Sequence, residues 1–388
     1  MENSSRLYNT VVKILCQHEN WLDIRHLYTL AWMMVGLILS ESISLTAWVP
    51  YVLSRAKYAQ SIVRRFQRWL NNSRIVVHSL YAPLIKKALA NWGEYKLYLA
   101  LDTSILWDKY CIIRISVIYR GRAIPIVWKV LEHKSSNVSY ETYKSLLDSV
   151  TAVLPPNVVV VFLADRGFAD ISLMSHVKKL GWHFHIRIKK NFWIYQDGCN
   201  PYQVGNLSLR PGECIFLQNV YITADKYGPV CLSLAHHSDN GELWYVASDE
   251  HTDMNTFLEY GMRFDIEENF LDDKSNGFQL ENSLIRSSDA LSRLCFILSM
   301  ATLYLVSQGT QVASDKKRRW VDAHWFRGNS YLRIGWQWIK SALVHGWALC
   351  TVLCLNGQPD PEPAIASLRQ ANKKTVMAFK MLAYNNSA

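Results

Sequence analysis

Residues 158–168 read Val-Val-Val-Val-Phe-Leu-Ala-Asp-Arg-Gly-Phe. From Val158 to Leu163 every position is apolar, so the segment suits a strand covered on both faces rather than one with a wet side. Pro155-Pro156-Asn157 precedes it and breaks the helix that the pattern predicts over Tyr140–Val153. The strand ends at Asp165, and a helical stretch near Ile171–Leu180 and a strand around His183–Lys189 follow. Upstream, Leu97–Leu101 is a short apolar run ending at Asp102. Ile112–Tyr119 and Ala123–Leu131 are β-rich runs joined by Arg120-Gly121-Arg122, a hairpin signal. The order is strand, strand, strand, helix, strand, helix, strand. It predicts an α/β fold with a mixed sheet, an antiparallel meander first and parallel strands after.

The length of 388 residues suggests two or three domains. Residues 7–93 read as helices. Residues 191–250 look like a separate all-β insert, with short runs such as Cys214–Leu217 and Leu243–Ser248. Helices return at Met254–Leu271 and Ser283–Gln308, and two aromatic-rich helical segments follow Lys316-Lys317-Arg318-Arg319. The last stretch carries Pro359, Pro361 and Pro363 and reads as a peripheral tail. The expected division is a helical basic DNA-binding region over 1–94, a core over 95–190, a β-rich insertion over 191–252, the rest of the core over 253–310, and a C-terminal helical region and tail over 311–388.

A net charge of +10 points to a polyanionic partner. The clearest local sign is Ser42–Gly93, which holds no Asp or Glu but does hold Arg55, Lys57, Arg64, Arg65, Arg68, Arg74, Lys86 and Lys87. Arg64, Arg65 and Arg68 fall within about one helical turn, and such a region suits phosphate contact. No clean helix-turn-helix signature is visible. Eight cysteines are scattered without paired CxxC spacing, against a zinc site. Cys350 and Cys354, four apart, would be neighbours on a helix face. No secretory signal opens the chain, and a reduced cytoplasmic setting is expected. Leu27–Leu39 and Leu294–Val306 are apolar for 13 residues each, short of the roughly 18 a membrane span needs. They are expected to be buried helices.

Asp102 and Asp165 each close an apolar strand, where a carboxylate emerges at a sheet edge. Two such strands side by side can place both on one divalent ion, and hard oxygen donors select Mg²⁺ or Mn²⁺. Aspartates at strand ends are also common turn formers, and Asp102-Thr103-Ser104 and Asp165-Arg166-Gly167 both look like turns. In the helix predicted around 254–274, Tyr260, Arg263, Glu267 and Lys274 fall within an arc of about 60° at roughly 100° per residue, and Glu268 falls off it. A carboxylate among Tyr, Arg and Lys suits metal binding beside phosphate contacts. An exposed Arg263–Glu267 ion pair would look the same. Asp108, Asp170, Asp272 and Asp273 are poorer ligand candidates because they interrupt helices or loops. Arg187, Lys189 and Lys190 follow a strand near the core and are candidates to meet DNA.

The spacing Tyr260-x2-Arg263-x3-Glu267-x6-Lys274 resembles the YREK signature of transposases of the insertion sequence 4 family. Asp102 in Leu-Asp-Thr and Asp165 in Ala-Asp-Arg-Gly-Phe resemble that family's first two catalytic aspartates. The resemblance covers roughly residues 95–310 and implies a ribonuclease H-like core. Asp102, Asp165 and Glu267 would hold two Mg²⁺ ions, with Mn²⁺ able to substitute. It implies cut-and-paste transposition through a hairpin on the transposon end, and phosphate contacts by Tyr260, Arg263 and Lys274. Trp244 would stack on a flipped base. Inverted-repeat end DNA and target DNA are the implied partners, met by a homodimer and not by a membrane protein. A nuclease on the same core without strand transfer, or an inactive DNA-binding protein, would share these residues.

Overall fold

The computed structural model describes residues 2–17, 21–238, 241–325, 329–362 and 380–381. Five core strands come first: β1 (Leu97–Leu106), β2 (Tyr110–Tyr119), β3 (Arg122–Glu132), β4 (Val160–Ala164) and β5 (His183–Arg187). β1, β2 and β3 pair antiparallel, and β4 and β5 add in parallel on the other side of β1. The result is the mixed sheet that the sequence predicts, in the strand arrangement of the ribonuclease H-like core that the resemblance implies. Arg120 and Gly121 both take positive φ, 48° and 76°, the two-residue turn whose twist matches a hairpin. Helices α6 (Tyr140–Thr151) and α7 (Ile171–Lys179) provide the crossovers. With helices on the opposite face as well, β4 is buried at all five positions, which is why its sequence does not alternate.

The insert departs from the expectation of a separate unit. Its strands β6 (Trp193–Tyr195), β7 (Tyr202–Gln203), β8 (Glu213–Ile222), β9 (Tyr227–His236) and β10 (Leu243–Ser248) extend the same sheet, in the order β3-β2-β1-β4-β5-β10-β9-β8-β6-β7. β10 pairs antiparallel with β5, Ala247 opposite Ile186. The open edge of β5 carries unpaired backbone groups, and β10 satisfies them.

Helices α1 (Glu2–Leu15), α2 (Ile24–Ser40), α3 (Leu45–Trp48), α4 (Ala59–Leu70) and α5 (Val77–Leu89) precede the sheet. α2, α4 and α5 gather on α10 (Ser288–Ser314), which also covers β3, and α1 and α3 pack on α2. The apolar run at 294–306 thus belongs to a helix of 27 residues, long enough to cross a membrane, but 94% of its most apolar window is buried inside the protein. Among the described residues, one α-helix follows Arg319, α11 (Tyr331–His345). Trp347–Leu355 is not helical. Cys350 and Cys354 lie in that segment, their amides bonded to Gln308 and Ser307 of α10. Most of the expected tail lies outside the described residues.

α10 and α11 cross at two glycines. A Cβ on Gly335 would stand 1.8 Å from the Leu305 carbonyl oxygen, and one on Gly309 would stand 2.1 Å from that of Tyr331. Backbone cannot yield as a side chain does, so Gly335→Ala is expected to cost about 2–4 kcal/mol. Gly261→Ala, where the added methyl meets nothing within 4 Å, is expected to be neutral or slightly stabilising. Urea unfolding of the two variants checks this, and equal midpoints would show that the crossing is looser than described.

Candidate active site

β1 and β4 pair in parallel from Leu97↔Val160 to Leu101↔Ala164. The next residue on each is a carboxylate, Asp102 and Asp165, so backbone register alone brings the two together. Asp102 does not end its strand, contrary to the sequence reading. β1 runs on to Leu106, paired with β2 through Asp102↔Arg114 and beyond. The apolar run stops at Leu101 because β4 stops at Ala164, which leaves β1 one-sided from Asp102 onward. Both aspartates open on a cleft of about 1060 Å³, also lined by Thr103, Asn137, Arg166, Arg187, Lys189 and Lys190.

The single helix expected over 254–274 is three pieces. α8 (Met254–Gly261) and α9 (Phe264–Leu271) are separated by a turn at Met262–Arg263, and Asp272–Asn276 forms a π-helical turn. Met262 and Arg263 keep right-handed helical dihedrals, so Tyr260, Arg263 and Glu267 still face one way. Tyr260 Oη donates to Asp165 Oδ1 at 3.5 Å. Arg263 donates from Nη1 to Asp102 Oδ2 at 3.3 Å and from Nη2 to Glu267 Oε1 at 2.6 Å. One buried guanidinium thus bridges a strand carboxylate and a helix carboxylate. Lys274 leaves the arc because the π turn breaks the 3.6-residue period. Its Nζ donates to the Ile105 carbonyl of β1 at 2.6 Å.

Burial pushes the Asp102 carboxyl up to about 6; Arg263 and the Thr103 amide oppose the rise, and Glu267 and Asp165 add to it. Burial also raises the Tyr260 phenol well above its ordinary range, against Arg263. Burial would lower Arg263, but Tyr260, Asp102, Glu267 and Asp165 together outweigh it and hold the guanidinium charged.

Other expected residues are placed less directly. Trp244, on β10, is buried, edge-on to Tyr260 with ring centroids 5.4 Å apart and beside Phe257 and Phe264. It supports α8 and α9 from beneath and offers no open face to a base. Arg187 is buried and paired with Glu242 at 2.7 Å, while Lys189 and Lys190 are exposed in the cleft. Arg64 and Arg68 line a separate shallow depression on α4, and Arg65 is half-buried against the Phe66 ring.

Sequence reading missed what holds α9 in place. Arg114 of β2, wholly buried, pairs with Asp273 at 2.7 Å and donates to Asn269 Oδ1 at 2.7 Å. Arg122 of β3 pairs with Asp272 at 2.9 Å. Asp272 and Asp273 are therefore structural partners of sheet arginines. The available signal is Arg114 itself, the one charge in β2, set between Ile113 and Ile115. At the other end, His185 Nε2 and the Tyr98 hydroxyl meet the Glu259 carboxylate at 2.8 and 2.9 Å, fixing α8 to β1 and β5.

The family model for the transposase DDE domain matches residues 108–304, just over half of the chain. The chain belongs to the DDE transposase family. It is therefore a DNA-cleaving and joining enzyme of transposition, of a family that generally uses divalent metal ions. The match contains Asp165, Tyr260, Arg263, Glu267 and Lys274 and begins past Asp102. Among solved structures, the chain is similar to the piggyBac transposase synaptic complex with hairpin DNA at 11% identity and a TM-score of 0.44, covering 89% of this chain and 79% of that one. It is also similar to human ENDOV, at 10% identity and a TM-score of 0.24, covering 57% and 94%. No curated protein sequence matches.

The donor set fits a hard divalent cation in kind: all three carboxylates offer oxygen, and Asp102 and Asp165 share one cleft. Among the described residues no three His, Cys, Asp or Glu side chains converge closely enough to hold an ion. Arg263 accounts for this, since its guanidinium stands between Asp102 and Glu267.

The raised Asp102 carboxyl makes a stability prediction. Between about pH 4 and 6 the native state keeps a proton that the unfolded chain has lost, so this group removes stability as pH rises through that window and withholds it fully above about 6. Asp102→Asn should therefore stabilise the metal-free protein by about 1–3 kcal/mol at pH 8, with the difference vanishing near pH 4. Denaturant unfolding in EDTA at the two pH values reads it, and a variant less stable at pH 8 would contradict it.

Proposed function

We propose that this chain is a transposase of the insertion sequence 4 type, which cuts transposon ends and joins them to target DNA with two metal ions. The observation that carries the reading is the meeting of Asp102 and Asp165, adjacent by strand register, with Glu267 through Arg263. Asp102, Asp165 and Glu267 are assigned as the ligands of Mg²⁺, for which Mn²⁺ would substitute. When bound, such ions activate the attacking oxygen and stabilise the leaving one.

The chain's own residues supply the remainder. Glu267 completes the ligand set once Arg263 releases it, and the freed guanidinium turns to a DNA phosphate, a partner of the same geometry as a carboxylate. Tyr260, held next to Asp165, is placed to donate to a phosphate oxygen rather than to act as a base, since burial keeps its phenol protonated. Lys189, Lys190 and Arg166 at the cleft track the strand. Lys274 is assigned to hold β1 against the π turn first, and phosphate second. The first product is a nicked strand with a free 3′-hydroxyl. Attack of that hydroxyl on the phosphate of the opposite strand closes a hairpin and releases the flanking DNA with its own 3′-hydroxyl; water then reopens the hairpin before joining to target. Two copies, each bringing one inverted-repeat end, would form the active complex, and the helical region before β1 would bind those ends. Base stacking by Trp244 would require the cluster around Tyr260 to open.

The test is incubation of the purified chain with DNA carrying both ends of its element, with Mg²⁺ or Mn²⁺, beside Asp102→Ala and Asp165→Ala. Nicks, hairpins and joined products from the wild type, absent from variants that still bind DNA, are expected. Hydrolysis without joining would reassign the chain as a nuclease on this core, and binding without cleavage as an inactive DNA-binding protein.

A further inference from the structure

α4 carries a sorted surface. Its buried face is Ile62, Phe66, Trp69 and Leu70. Beyond Ala59 at its first position, its exposed residues are Gln60, Ser61, Arg64, Gln67 and Arg68, which at about 100° per residue form a stripe roughly 120° wide. Ser61, Arg64, Gln67, Arg68 and Asn71 line a depression of about 450 Å³. No acid occurs between Ser42 and Gly93, so nothing local repels a polyanion.

The residue types go beyond charge. Arg, Lys, hydroxyl and amide side chains all contact phosphates, so it is the arrangement of the amides that matters. Here amides alternate with arginines, the pairing that reads base edges in the major groove: Gln to adenine and Arg to guanine, each bidentate. Cations suited to phosphate contact flank the stripe instead, with Arg55 and Lys57 before the helix and Arg74 after it, all exposed. Asn71 is already used, its side-chain amide donating to the Gln67 backbone carbonyl at 2.8 Å, whereas Arg68 donates to the Arg64 backbone carbonyl at 3.3 Å through Nε alone. Arg65 points off the stripe.

The helix is also held firmly. Trp69 Nε1 donates to the His26 carbonyl at 3.0 Å, and Trp48 packs edge-on to Phe66 at 5.6 Å. Arg293 of α10 donates to the Leu70 and Ile75 carbonyls at 3.0 and 3.3 Å. A rigid helix of 12 residues, about 18 Å long and about 10–12 Å across with its side chains, fits along a groove about 12 Å wide.

We propose that α4 is the recognition helix that enters the major groove of the transposon end, with Gln67 reading an adenine and Arg64 and Arg68 reading guanines. This rests on the transposase reading and adds which residues choose the sequence.

The test is selection from a random-sequence duplex library by the full chain without metal, at fixed salt. Wild type should enrich one motif. Gln67→Ala should lose preference at one or two adjacent positions, by about tenfold, and leave the rest. Gln67→Glu should change the base chosen there, which separates reading from misfolding. Arg65→Ala should keep the motif. Lys57→Ala should weaken all sequences alike and reduce the salt slope by about 1. An unchanged motif in Gln67→Ala and Arg64→Ala, with or without a uniform loss of affinity, overturns the proposal while the transposase reading stands. A wild-type chain that retains no duplex overturns both.

Discussion

The ion pair between Arg114 and Asp273 fixes the geometry on which the site depends. Both side chains lie almost wholly out of water, where either charge alone would be costly. Removing one partner of such a pair destabilises by about 3–5 kcal/mol. Burial drives the Asp273 carboxyl upward and Arg114 opposes it. Arg114 also stacks on the Phe270 ring at 4.6 Å and bonds Asn269. One arginine in the middle of β2 thus holds the end of α9 and the start of the π turn on the sheet. Arg122 repeats the arrangement one residue earlier, on Asp272. The widened turn lets consecutive aspartates reach two different strands, which a regular helix would send about 100° apart.

With its far end fixed, α9 presents Glu267 on the same side as Asp102. Arg114 and Asp102 are cross-strand partners, so the lock and the candidate ligand sit side by side on one rung and one face of the sheet. The cluster of carboxylates would repel itself without a counter-charge. Arg263 supplies that charge in the metal-free protein, which explains why Glu267 stands off from the aspartates. The same guanidinium suits a phosphate as well as a carboxylate, so the exchange proposed for it needs no new group. The desolvated Asp102 is the electrostatic consequence, a carboxylate held in place at the expense of stability.

Much of the core was legible because its strands have local causes. Val158–Leu163 is apolar throughout since sheet neighbours and helices cover it, and Arg120-Gly121 supplies the positive φ that its hairpin needs. Asp102 and Asp165 were legible as a pair, although β1 runs past Asp102. Pairing on one side only leaves a strand that apolar periodicity cannot see. The three-piece segment around Glu267 was not legible, because a uniform 100° rotation assumes one helix and the π turn is stabilised by arginines 150 residues or more away in sequence. The joining of the insert to β5 was hidden for a like reason, since edge pairing is a long-range event. Arg65 was grouped with Arg64 and Arg68 by proximity, yet one step of helical rotation turns it toward Phe66.

The most direct measurement of the central claim, that Asp102, Asp165 and Glu267 form one metal site, is cleavage of the polypeptide by bound iron. Fe²⁺ with ascorbate and peroxide generates hydroxyl radicals that cut the backbone next to the ion. The account predicts three cuts, at residues near 102, 165 and 267, all suppressed together by excess Mg²⁺ and lost together in Asp165→Ala. Cuts near 102 and 165 without one near 267, or cuts clustered elsewhere in the chain, would contradict it.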